Sequence, residues 1–324
     1  MLTLLATLQR MMTVTEFLIT LDIMLPLLSM LVVGWLLRRM NLMTEPVTQG
    51  LNKMVFKILL PILLLKNMRG MDVCTMPNMA YAAFIGLGIT AVYVVAQLIA
   101  PRFLKDVRQS AVMVQALFRT NFAILGVPLM LAIFGEAGNA TVSLALPVAI
   151  PINNIVGVLA LAPCSGKTDL KGTIKKILSN PLLWGIILGA IMMVLGNPLP
   201  KFADKVCKDV GSMTSTVSLL VLGASLRWNG VKANRVTLAM GLVVKQLIVP
   251  FIMFGLAVLL GFRGMELGVI VILFGAPTAV SSFPMAQAMG GDGQLAGSMV
   301  ALTTICSMGT LFLLIYLCKL AAFF

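Results

Sequence analysis

Ten apolar stretches follow one another along the chain, parted by short polar interruptions. They run roughly over 17–37, 48–66, 79–100, 111–133, 139–162, 180–196, 212–227, 236–260, 267–289 and 294–318. A helix needs about 20 mostly apolar residues to cross the hydrocarbon of a bilayer. Backbone in lipid must also satisfy its own polar groups, which helices do within one segment. The pattern predicts an all-α polytopic membrane protein with ten transmembrane helices. Composition agrees: 60% of the 324 residues are apolar and 11% are charged, against about 45–50% and about 25% in soluble domains. A soluble enzyme, a DNA-binding module and a disordered chain are excluded on that ground. The net charge of +13 does not argue for nucleic acid. Its basic residues sit in short clusters between apolar stretches, as in the positive-inside loops of membrane proteins.

Two absences narrow the chemistry. The sequence has no histidine, which excludes His-based triads, HExxH zinc sites and histidine proton relays. The five cysteines, Cys74, Cys164, Cys207, Cys306 and Cys318, are scattered and lack a CxxC pair. Neither a disulfide framework nor a metal site is expected, and no cofactor is implied. Residues 1–16 do not read as a signal peptide, because the acid Glu16 precedes the first long apolar stretch and no small-residue cleavage site follows a short apolar core. They are expected to form an interfacial helix or a disordered lead.

Charge also predicts orientation. Loops on one side collect twelve Lys and Arg, including Arg38, Arg39, Arg102 and four lysines within 163–179, and loops on the other side collect eight. The richer side is expected to be cytoplasmic, which puts both termini on the outer side of a cell membrane (inner or plasma). The two halves carry matching marks. Pro26-Leu27-Leu28 with Gly34 matches Pro181-Leu182-Leu183 with Gly189, an offset of 155 (26 to 181). Pro128 with Gly135-Glu136 matches Pro284 with Gly291-Asp292, an offset of 156 (128 to 284). Two matches at nearly one offset predict a duplication. The first five-helix repeat covers 17–162, a cytoplasmic linker 163–179, and the second five-helix repeat 180–318. Five is odd, so the second repeat enters the membrane from the opposite side. Such inverted repeats are common in secondary transporters, whose sites lie near the midplane where broken helices meet.

The fourth and ninth stretches read as those broken helices. The fourth contains Arg119-Thr120-Asn121 and, further on, Gly126-Val127-Pro128. The ninth contains Gly275-Ala276-Pro277-Thr278 and Ser281-Ser282-Phe283-Pro284. Proline removes an N–H and clashes with the preceding turn. The freed backbone groups are tolerated only against protein or a wet cavity, which the small polar neighbours suit. Lys57, Arg119 and Lys245 fall roughly 8 to 10 residues into their spans, a depth of about 12–15 Å at the helical rise. No carboxylate lies at that depth: Asp22 is near a span end, and Glu136 and Asp292 follow the broken helices. Cations at mid-depth and the positive ends of half-helices favour an anionic ligand. No membrane-buried Asp, Glu or His is evident to carry a proton, so flux is expected to follow the substrate gradient and the membrane potential.

These stretches resemble one known family. Asn121-Phe122-Ala123-Ile124-Leu125-Gly126-Val127-Pro128-Leu129, ending in Phe134-Gly135, resembles the fourth-helix signature of the auxin efflux carrier family, the PIN-like transporters. Asn180-Pro181 is similar to the opening of that family's second repeat, and Leu222-Gly223-Ala224-Ser225-Leu226 to its seventh helix. Asn52 with Leu60-Pro61, and the ninth stretch followed by Gly291-Asp292, are similar in kind. The resemblance covers nearly the whole chain from about residue 20. It implies two inverted five-helix repeats whose fourth and ninth helices cross at prolines, here Pro128 and Pro284. Substrate would bind beside that crossing, and a transport domain would move against a scaffold as an elevator, often in a homodimer. Carried over, the substrate residues are Asn121, Gly126, Pro128, Asn153, Asn154, Pro277, Ser281, Ser282, Pro284 and Gln287, with Arg119, Lys245 and Lys57 as electrostatic partners. The chain departs from the plant members in its short linker and in the absence of any acid or base over 79–100. The short linker resembles that of bacterial members, some regarded as malonate or malate permeases.

The function expected from the sequence is export of a small organic anion, an auxin-like carboxylate or a dicarboxylate such as malonate or malate. The partners expected are that anion, membrane lipids and a second copy of the chain, and no nucleic acid. A sodium-coupled symporter of related fold and a membrane anion sensor are the alternatives. An enzyme is not expected, since no nucleophile or acid/base constellation falls within the spans.

Overall fold

The computed structural model describes residues 25–69, 79–165, 181–196, 199–226 and 234–323. The lead over 1–16, the start of the first span and all but residues 163–165 of the linker lie outside the described residues. Among the described residues the chain is helical, with one isolated β-bridge and no strand. The helices are α1 (25–39), α2 (Glu45–Arg69), α3 (Met79–Phe103), α4 (Val107–Phe118), α5 (Phe122–Leu161) and α6 (Pro181–Val194). They continue as α7 (Lys201–Ser225), α8 (Arg235–Leu259), α9 (Gly264–Gly275), α10 (Ser282–Ala288) and α11 (Gly293–Leu320). Each of the ten apolar stretches carries helix. Glu45–Arg69, Met79–Phe103, Leu144–Cys164, Arg235–Leu259 and Gly293–Leu320 are long and apolar enough to cross a membrane.

The seventh stretch is longer than its apolar part. It starts at Lys201 rather than at 212, because its polar first turns are tied to the end of α2. The Arg69 guanidinium donates to Asp204, and Lys208 Nζ reaches the other Asp204 oxygen at 2.7 Å. Hydropathy alone does not register turns held by ion pairs.

Two prolines lie in helices that do not break. Ahead of Pro61 and Pro250 the helices widen into single π turns, Val55–Leu59 and Val244–Ile248. There Leu60 and Val249 donate to carbonyls five residues back. A widened turn absorbs a proline's missing donor and bulk. Hydroxyls from neighbouring helices serve carbonyls in these turns: Thr214 Oγ1 donates to Leu59 O at 3.0 Å, and Thr310 Oγ1 to Gln246 O at 2.9 Å.

The helices do break between α4 and α5 and between α9 and α10, but not at Pro128 and Pro284. The interruptions lie upstream, at Arg119–Asn121 and over 276–281. Pro277 is the breaker in the second case. Ala276 ahead of it is extended (φ −62°, ψ 149°), the conformation a residue before proline prefers. Pro284 falls in the first turn of α10, where its missing N–H has no acceptor to lose. Pro128 lies within α5, which runs through it. A later corner in α5 comes at Gly135 (φ 66°, ψ −153°), a region glycine enters without steric cost. Asp292 caps α11, accepting from Gln294 N at 3.0 Å and Leu295 N at 2.9 Å.

Packing falls into two groups. Helix α2 packs on α6 and α7, while α3, α4, α5, α8, α9 and α11 pack among themselves. Helix α1 joins the first group. A Cβ on Gly34 would fall on the Leu220 carbonyl of α7, and a Cβ on Gly189 of α6 would lie 2.8 Å from the Leu65 carbonyl oxygen of α2. These contacts repeat at the sequence offset: 34 maps to 189 and 65 to 220, both by 155. Thr214 and Leu59, joined by the hydroxyl bond above, are themselves 155 apart.

Candidate functional site

The two interruptions meet. Thr120 and Thr278 form an antiparallel bridge. Asn121 N donates to Pro277 O at 2.8 Å, and Ala279 N donates to Arg119 O at 3.2 Å. Asn121 and Pro277 are 156 apart, the offset read between the fourth and ninth stretches. Backbone groups freed by the breaks thus satisfy one another, as an apolar surround demands. Thr278 adds two bonds, its Oγ1 donating to Ala116 O at 2.9 Å and its N donating to Thr303 Oγ1 at 3.1 Å.

Beside this crossing lies a cavity of about 280 Å³. Arg119, Thr120 and Asn121 line it from the first break and Ser281 from the second; Asn153 and Asn154 come from the second arm of α5. Helix α2 adds Lys66 and Asn67, and α7 adds Ser212, Thr214, Ser215 and Ser218. Phe122, Ala123 and Ile124, the first residues of α5, also face it. The first N–H groups of a helix have no intrahelical acceptor and carry its positive end.

Arg119 is 3% exposed. Its Nη2 donates to Asn154 Oδ1 at 2.8 Å, its Nη1 meets the Met285 sulfur, and the guanidinium lies against Gly157, where a Cβ would just reach ordinary contact with it. No carboxylate lines the cavity among the described residues. Among the described residues this buried cation has neutral dipoles for company and no counter-ion, while Thr120 Oγ1, Asn121 Nδ2, Asn153 Oδ1 and Ser218 Oγ are buried without a partner. Unpaired buried polar atoms cost free energy. A bound anion with its own donors and acceptors would relieve that cost.

The structure sorts the sequence expectations. Arg119, Asn121, Asn153, Asn154 and Ser281 come together at the cavity. Gly126 does not line it; a Cβ there would meet the Phe122 ring and Val142, so the glycine serves packing within α5. Pro277 contributes its carbonyl to the crossing, while Pro128, Ser282 and Pro284 line neither this cavity nor the second one described next. Lys57 and Gln287 line a second cavity of about 480 Å³. Lys245 is fully buried on a π turn packed against α11 and α4 and lines neither cavity. Sequence reading missed the polar face of α7. Thr214, Ser215 and Ser218 recur at helical spacing, a signal hidden by treating 212–227 as uniformly apolar.

Helix lengths, apolar surfaces and a polar cavity at the meeting of two broken helices define a multi-pass membrane protein. The model of the family described as Membrane transport protein matches residues 19–165 and 167–315, and the chain belongs to that auxin efflux carrier-like family. An uncharacterized transporter of Methanocaldococcus jannaschii is 25% identical over 306 residues, covering 90% of this chain and 96% of that protein. An uncharacterized transporter of Methanothermobacter thermautotrophicus is 24% identical over 294 residues, covering 90% and 95%. Membership in a membrane transport family supports a role other than catalysis.

Proposed function

We propose that the protein is a secondary transporter that exports a small organic anion through the crossing of its broken helices. The observation that carries this reading is Arg119, buried at a helix break and opening on a cavity without a lining carboxylate. The anion is an auxin-like carboxylate or a small dicarboxylate such as malonate or malate. Its carboxylate sits between the Arg119 guanidinium and the start of α5, with Asn121, Asn153, Asn154 and Ser281 giving orientation.

The ten spans form two inverted five-helix repeats, a reading supported by the offset-related contacts at Gly34/Leu220 and Gly189/Leu65. Motion is of the elevator type. Helices α1, α2, α6 and α7 stand still, in a homodimer surrounded by lipid, and the remaining helices carry the crossing past them. The cavity lies on the seam between these groups, which supports the division. Both termini face outward. Moving one negative charge out of a cell that is negative inside is favourable by about 2.3 kcal/mol per 100 mV, so export needs no coupling ion.

The test is flux of labelled malonate, malate and indole-3-acetate in proteoliposomes, with imposed potential, sodium gradient or pH gradient. Saturable flux that follows the potential and is abolished in Asn121→Ala is expected. Flux that requires sodium would replace this reading with the symporter, and no flux of any anion under any gradient would replace it with the sensor.

A further inference from the structure

The second cavity lies further toward the start of α2 than the first, against the end of α10. Helix α2 lines the first cavity with its last two turns, through Lys66 and Asn67, and the second with its earlier turns, through Gln49, Asn52, Lys53, Phe56 and Lys57. The short helix α10 spans both: Ser281 before it faces the first, and Gln287 near its end faces the second. Gln49, Lys53 and Lys57 fall four residues apart, so they form one stripe along α2. Lys53 and Lys57 are exposed and have no carboxylate partner among the described residues. The nearest acid on α2, Glu45, is paired with Arg38 at 2.9 Å. Asn52 is 5% exposed, lines the cavity, and its Oδ1 has no partner. A half-turn of its amide exchanges Oδ1 and Nδ2, so it presents a donor to a ligand as readily as an acceptor.

We infer that this cavity is a second anion site, in which Lys53, Lys57 and Asn52 hold a carboxylate or phosphate group separately from the cavity of Arg119. Two ammonium groups on one stripe, an unsatisfied buried amide and a roomy cavity without an acid form a built anion subsite. Lys57 and Lys66 are nine residues apart, about 14 Å along the helix, so one helix offers a cation to each cavity. The occupant is the carboxylate of the transported solute, met before or after its passage. That identity rests on the transport reading; the existence of the site does not.

The test is amine-labelling footprinting of the full chain in nanodiscs, read by mass spectrometry at each lysine. Malonate and malate are the probes, and nanodiscs of purely zwitterionic lipid are compared with nanodiscs containing phosphatidylglycerol. We expect either dicarboxylate to slow labelling of Lys53 and Lys57 severalfold in zwitterionic lipid, leaving Lys208 unchanged. The same protection is expected in Asn121→Ala, whose first cavity is impaired, and its loss at Lys57 is expected in Lys53→Gln. Protection that depends on phosphatidylglycerol and ignores both dicarboxylates would assign the site to lipid headgroups and overturn the solute assignment. No protection under any condition would overturn the site itself. Because the readout is binding, protection without flux would sink the transport reading and leave this site standing.

Discussion

Arg119 is the buried cation that opens on the cavity. A hydrogen bond to a charged group is worth about 1.5–3 kcal/mol. Replacing Arg119 by Gln is therefore expected to raise the half-saturation for malonate flux by about 10- to 150-fold. Unchanged saturation would mean the guanidinium does not touch substrate. Gly157 gives a second handle, since a Cβ there would just touch the guanidinium and anything larger would press on it; Gly157→Val is expected to weaken transport while Gly157→Ala is tolerated. Lys245 behaves differently. It is 0% exposed and its Nζ has no partner, so the amine costs folding free energy. Lys245→Met, similar in length and apolar, is expected to stabilise the fold by about 1–3 kcal/mol, seen as a higher melting temperature in nanodiscs. A lower melting temperature would contradict that view. Both cations were legible in the sequence as deep charges. Their opposite fates were not, because depth along a helix does not say which face of the helix meets a cavity.

At the scale of elements, the breaks and the close helix pairs make separate predictions. Thr278→Val leaves the buried Ala116 carbonyl without its donor and is expected to cost about 1–3 kcal/mol. Gly34→Val and Gly189→Val drive a side chain into a neighbouring backbone, and each is expected to cost about 3 kcal/mol. Gly255, on α8 with open space around its Cβ position, is the control: Gly255→Ala is expected to stabilise by about 0.5–1 kcal/mol. Comparable melting temperatures for all three glycine variants would refute the packing account. At the N-terminal end of α7, the Lys208 ammonium and then the Arg69 guanidinium hold the Asp204 carboxyl below the usual carboxylate range. That contribution is present above the unfolded carboxylate value and fades as pH falls through the lower folded one. The wild type is expected to lose melting temperature in that acid window more steeply than Asp204→Asn; parallel curves would contradict the tie. That helices break in the fourth and ninth stretches was legible from small polar residues and prolines. The location was not, because three prolines in those stretches look alike until turn position separates them: Pro277 forces extension ahead of itself, while Pro128 and Pro284 do not.

For the molecule as a whole, the apolar stretches were enough to anticipate an all-helical chain with several membrane-length helices, and the offset near 155 anticipated which contacts repeat. The family resemblance, with the deep charge at Arg119, named five of the residues that the fold gathers at the cavity. The contributions of α2 and α7 were not visible, because a wall of a cavity supplied by another part of the chain leaves no mark at the break it faces. Two packing groups, a cavity on their seam and a second cation-lined cavity further along α2 fit a solute carried past a standing wall. The most direct measurement is the transient current that follows a malonate concentration jump on proteoliposomes adsorbed to a solid-supported membrane. The account predicts a saturable current from moving negative charge in the wild type, absent in Asn121→Ala. A wild-type current that survives unchanged in Asn121→Ala, or a saturable malonate flux that moves no charge, would contradict it.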